Sequence, residues 1–159
     1  MFHVGDKIVH PMHGAGVIES ITTQRVNGVT RDYYILKLPV GGMQVMIPTE
    51  NCAEIGVRAI VDPQEAGKVI EAIPDIEVEY DPNWNRRYRE NMLRLKSGDL
   101  LQVAQVIKAL AQRDELKGLS TVERKMLHSA KQILISEIVL SGGGSYEETE
   151  DRINLALAK

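Results

Sequence analysis

Aromatic side chains make up only 4% of this 159-residue chain, so most of its core volume must come from Ile, Val, Leu, Met and Ala. A single cysteine, Cys52, excludes an intrachain disulfide and suits a reducing compartment. No stretch approaches the ~18 consecutive apolar residues of a membrane span. The opening "MFHVGDKIVH" has no basic segment followed by an apolar run, so no secretion signal is visible. These absences lead to the expectation of a soluble, cytoplasmic protein with no membrane partner.

An excess of positive charge is missing too, since the formal net charge is −3. That average conceals blocks. Residues 62–81 carry one lysine against seven Asp or Glu, whereas residues 84–131 carry eleven Lys or Arg against five acids. A bound anion senses the field within about a Debye length, ~8 Å at physiological salt, so the second block matters more than the sum. Catalytic constellations are also lacking. No nucleophile elbow, phosphate loop or carboxylate pair stands out, and an enzyme is not expected. His3, His10 and His13 with Cys52 have no spacing of a common zinc site, and the histidines read as loop residues, so neither metal nor cofactor is expected. Gly14-Ala15-Gly16 resembles half of a dinucleotide fingerprint, but no helix signal follows it, and it reads as a bend.

What is present changes character near residue 60. Before it, glycines punctuate short β-rich runs: "DKIVH", "GAGVIESITTQRV", "RDYYILKL" and "MQVMIP". Asn27-Gly28 predicts a type I′ hairpin turn, because both residues tolerate positive φ, and Gly41-Gly42 predicts a second hairpin. A small curled antiparallel sheet or barrel follows. In "GGMQVMIP", Met43, Val45 and Ile47 share one face while Gln44 and Met46 take the other. If the first face is core, Met46 projects outward, although a two-sided core is an equal alternative.

After residue 60, helix signals dominate. Asp62-Pro63 reads as N-cap and first-turn proline, and "STVE" (120–123) and "SYEE" (145–148) fit the capping box. Five helices are predicted, over 63–73, 82–97, 99–117, 120–141 and 145–158, giving an α+β chain with a strand-rich part (1–60) and a helical part (61–159). The acids of "DIEVEYD" (75–81) read as an extended linker.

The stretch "NWNRRYREN" (83–91) holds the only tryptophan beside Arg86, Arg87 and Arg89. Trp84 shares a helical stripe with Tyr88, Met92 and Leu95, which fits a core residue. Three cations in the first two turns oppose the helix macrodipole, and a bound phosphate backbone would account for them.

With "VGDKIVHPMHGAGVIESI", "GGMQVMIP", "NCAEIGVR", "NWNRRYRENMLRLKSGD" and "LSTVERKMLHSAKQIL", the chain resembles the CarD/CdnL family of bacterial transcription regulators from end to end. The resemblance implies a Tudor-like N-terminal domain that docks on the RNA polymerase β subunit. It also implies a helical C-terminal domain that meets promoter DNA at the upstream fork of the transcription bubble. Trp84 then matches the family tryptophan that wedges into the minor groove and stabilises the open complex. Arg86, Arg87 and Arg89 match basic positions after it, Arg124 and Lys125 a second basic pair, and Lys131 lies nearby. Gln24, Val26, Met46 and Pro48 match polymerase-contact positions. Some members carry arginine where this chain has Gln24 and Met46, and lysine where it has Ser129. A monomer is expected. The alternative is a polymerase-binding adaptor that touches no DNA, with Trp84 in the core.

Overall fold

A computed structural model describes residues 1–39, 42–79, 81–142 and 144–159. Gly41 of the second predicted hairpin, Tyr80 of the linker and Gly143 of the glycine run therefore lie outside the described residues.

The N-terminal part is a five-stranded antiparallel sheet built from β1 (Lys7–His10), β2 (Gly14–Val26), β3 (Val29–Lys37), β4 (Gln44–Pro48) and β5 (Arg58–Ala59). The strand order is β4-β3-β2-β1-β5, which leaves β4 and β5 as edges. Asn27 and Gly28 take φ of 54° and 79°, the left-handed pair that a two-residue hairpin demands. At the second hairpin β3 and β4 pair as predicted, and Leu38 N donates to Met43 O at 2.9 Å. The sheet's inner face packs Ile8, Ile18, Tyr34, Leu36, Ile47, Cys52 and Val57 into a small core. A one-turn helix, α1 (Cys52–Ile55), carries the chain from β4 to β5. Sequence reading misses it because four residues display no periodicity.

The helical part comprises α2 (Pro63–Ala72), a 3-10 turn (Ile73–Asp75), α3 (Trp84–Lys96), α4 (Leu100–Lys117), α5 (Thr121–Leu140) and α6 (Tyr146–Ala158). Each helix starts where side-chain chemistry can satisfy an orphan N–H. Asp62 accepts from Glu65 N at 2.9 Å, Ser120 from Glu123 N at 3.2 Å and Ser145 from Glu148 N at 3.1 Å. The third helix starts two residues later than expected, because Asn83 is its cap and its side chain accepts from Arg86 N at 3.0 Å. A second, larger core joins Ile70, Ile73, Leu95, Val106, Ile107, Leu110, Leu134, Ile138 and Ile153. Buried Lys108 donates to Ile73 O at 2.8 Å and Pro74 O at 3.0 Å and so holds the 3-10 turn. No described helix is long and apolar enough to cross a membrane.

His10 ends β1, and its Nδ1 accepts from Met12 N at 3.0 Å, an acceptor role open only to the neutral ring. Burial, followed by the neighbouring His13, lowers its pKa from 6.5 to about 4. Between those values the unfolded chain binds a proton that the folded chain refuses. This contribution is intact above pH 6.5 and is lost as pH falls towards 4. His10→Gln should therefore flatten the acid side of a melting-temperature profile relative to the parent. Parallel profiles down to pH 4 would show that His10 does not set the slope.

Candidate functional site

Trp84 opens α3, where the N-cap leaves its side chain at the surface. Trp84 is 38% exposed, so the alternative of a core tryptophan is the one not met. It stacks on Tyr88 one turn later, with ring centroids 5.3 Å apart and planes within 10°. Its Nε1 donates to Ser120 Oγ at 3.4 Å, a longer contact than an ideal hydrogen bond. Ser120 is the N-cap of α5, so the starts of α3 and α5 lie side by side. Two helix N-termini, each carrying roughly half a positive charge, thus flank one exposed aromatic ring.

The surrounding cations divide into two kinds. Arg86 is exposed and pairs with Asp81 at 2.6 Å. Arg89, Arg124 and Lys125 are exposed and form no ion pair among the described residues. The Arg124 guanidinium donates to Leu119 O at 3.4 Å.

Arg87 is different. Its side chain is 12% exposed, its Nη1 donates to Asp81 O at 2.9 Å, and its Nε stands 3.5 Å from Glu123 Oε2 without hydrogen-bond geometry. Glu123, 3% exposed, also faces Arg113 Nε at 4.0 Å. Arg87 thus points into the protein, and two of the three arginines that oppose the α3 dipole have internal acids as partners. Lys131 sits half-buried about 9 Å of helix rise beyond Lys125 and donates to Asn154 Oδ1 at 3.3 Å. It lies apart from the group around Trp84.

On the sheet, register decides which side chains share a face, because cross-strand partners point the same way. Gln24 lies opposite Arg31, Val26 opposite Val29, Met46 opposite Ile35 and Pro48 opposite Tyr33. Arg31, Tyr33 and Ile35 alternate with buried Tyr34 and Leu36, so all four predicted residues lie on the outer face. Met46 is 47% exposed on edge strand β4, whereas Ile47 beside it is 1% exposed, as the alternation in "MQVMIP" requires. Gln24 and Val26 belong to the β2–β3 hairpin, whose residues 23–32 are exposed throughout. Tyr33 and Ile35, half-buried at the centre of this face, escaped sequence analysis; the alternation in "RDYYILKL" was the signal that could have found them.

Among the described residues, no three His, Cys, Asp or Glu side chains are placed to hold a metal ion.

The family comparisons divide the chain along the same lines. Residues 2–61 match the model of the CarD-like/TRCF RID domain, and residues 68–154 match that of the CarD C-terminal domain. The chain is also 33% identical over 143 residues to a Bacillus subtilis (strain 168) protein named "Putative transcription factor YdeB", a match covering 90% of this chain and 94% of the relative. Two family models in tandem and a relative aligned over nearly its full length agree: the chain belongs to the CarD-like family of transcription factors.

Proposed function

We propose that this chain is a cytoplasmic regulator of transcription initiation, acting as a monomer, that docks on the RNA polymerase β subunit and stabilises the promoter open complex. Residues 1–60 form the docking domain, with Gln24, Val26, Met46 and Pro48 in the contact. Residues 61–159 form the DNA-contacting domain. Trp84 inserts into the minor groove at the upstream fork of the bubble, and Arg86, Arg89, Arg124 and Lys125 hold the phosphates beside it. Lys131 extends this basic surface, and Arg87 serves it from inside by fixing α3 to α5.

The observation that carries this reading is the exposed Trp84, stacked on Tyr88 and reaching the start of α5, with exposed Arg86, Arg89, Arg124 and Lys125 in the first turns of the same two helices. Promoter opening is an equilibrium between closed and melted DNA, and a ligand shifts it only by its differential affinity. Unstacking a base step costs a few kcal/mol. A wedge therefore favours a fork where the stack is already broken. Docking on polymerase raises the local concentration of the wedge, so weak sequence-independent contacts suffice in a chain of net negative charge. The adaptor alternative placed Trp84 in the core, and its exposure withdraws that support.

The docking arm is tested by Met46→Glu, which sets an uncompensated charge in the proposed apolar contact on edge strand β4. Affinity for the isolated β-subunit lobe should fall by at least tenfold, the effect of about 1.4 kcal/mol, with an unchanged circular dichroism spectrum. Unchanged affinity would remove Met46 from the contact.

A further inference from the structure

The sheet and the helices meet at an ion pair, its carboxylate buried and its guanidinium partly exposed, that neither proposed contact uses. Glu137 of α5 is completely buried. Its carboxylate receives both ends of the Arg58 guanidinium from β5, Nη1 to Oε2 and Nη2 to Oε1, each at 2.7 Å. Oε2 also accepts from Val61 N at 2.9 Å, in the segment that joins the two parts. The Arg58 Nε donates to Gly98 O between α3 and α4, and Nη1 reaches Ala59 O at 3.2 Å. One fork thus ties the last strand, the connecting segment, the α3–α4 turn and α5.

A second contact lies one residue away on α5. Ser136 Oγ accepts from Ala15 N at 2.9 Å and donates to Ile133 O at 2.9 Å. Gly14, at φ +92°, lets β2 approach so closely that a Cβ there would stand 2.6 Å from Ser136 Oγ. At the far end of α5, Lys7 Nζ donates to Leu140 O at 3.0 Å. The joint is thus specified by hydrogen-bonded polar groups. Such groups fix one orientation, because any other leaves buried charge unpaired.

We infer that Arg58 and Glu137 are positioning residues that lock the docking sheet and the Trp84-bearing helices in one orientation, and that this fixed geometry is required for open-complex stabilisation. The inference rests on the function proposed above. If the protein touches polymerase and DNA at once, a rigid joint makes the second contact intramolecular at high effective concentration. A slack joint dilutes it. Linkage of this kind is worth a factor of ~10²–10⁴ when geometry permits both contacts, and nothing when it does not.

The test compares the parent with Glu137→Gln, and with Arg58→Met/Glu137→Met, which removes both charges together and keeps the fold if the single change does not. Nitroxides at Val29→Cys and Leu116→Cys, both exposed, report the distance between sheet and helices while buried Cys52 stays unlabelled. The expected result is a narrow distance distribution in the parent and a broad one in the variants. Affinities for the isolated β-subunit lobe and for fork-junction DNA, measured separately, should stay within about twofold, as for distant independent sites. Open-complex lifetime should fall about tenfold or more, within the linkage factor. A distribution that stays narrow, a lifetime that survives a broad one, or a matching loss in either separate affinity would overturn the inference. If the parent itself does not lengthen open-complex lifetime, the proposed function fails, and the distance measurement still decides whether the ion pair sets the orientation.

Discussion

Trp84→Ala is expected to leave the fold nearly intact and to remove most of the activity. A buried tryptophan costs roughly 3–5 kcal/mol when truncated to alanine. Trp84, 38% exposed, loses chiefly its stack on Tyr88 and a long contact to Ser120. An aromatic pair is worth about 0.5–1.5 kcal/mol, so the melting temperature should fall by no more than about 2–6 °C in a chain of this size. Open-complex lifetime should drop much further. Stacking of an aromatic side chain on a base is worth about 1–3 kcal/mol, a factor of roughly 5–150. Affinity for the β-subunit lobe should not change, because the outer sheet face does not include α3. Being the sole tryptophan, Trp84 also reports directly: its fluorescence in the free protein should be accessible to a soluble quencher and become shielded on fork-junction DNA. A large fall in melting temperature with undiminished open-complex stabilisation by the folded fraction would return Trp84 to the core.

How much of this was legible follows from the range of each interaction. Helix starts could be read because their chemistry is local: Asp62, Ser120 and Ser145 act on residues three positions away. The Asn27-Gly28 turn could be read for the same reason. Alternation around Met46 gave its outward direction, but centring that face on Tyr33 and Ile35 required the β3 register, which joins residues far apart in sequence. The arginines following Trp84 show the limit most clearly. Their number and place were visible, and a phosphate backbone was the simplest partner for all three. Yet Arg87 turns inward to Glu123, thirty-six positions on, while the flanking Arg86 finds Asp81. The sequence motif that contains Glu123 signals a helix cap, and nothing local to it reveals a buried countercharge. Arg58 and Glu137, separated by 79 positions, left no sequence signal at all.

Glu123 carries the second large effect. It is 3% exposed, sits beside Arg87 and Arg113, and has its backbone N–H capped by Ser120, whose hydroxyl also reaches its Oε1 at 3.3 Å. Removing one partner of a buried pair leaves the other charge uncompensated, at a cost of about 3–5 kcal/mol. Glu123→Ala should therefore lower the melting temperature by roughly 6–20 °C, far more than Trp84→Ala. Arg87→Met/Glu123→Met should recover part of that loss, because the Arg87 guanidinium is no longer stranded. The same pair separates two roles for Arg87. If it contacts phosphate directly, Arg87→Ala reduces the salt dependence of fork-junction binding by about one unit of log–log slope. If it acts by holding the start of α3 against α5, the slope stays and the accessibility of Trp84 to quencher changes instead. Its 12% exposure and inward partners favour the second outcome, with Arg89, Arg124 and Lys125 setting the slope. A slope change for Arg87→Ala as large as for Arg89→Ala would show that the side chain swings out to meet the DNA.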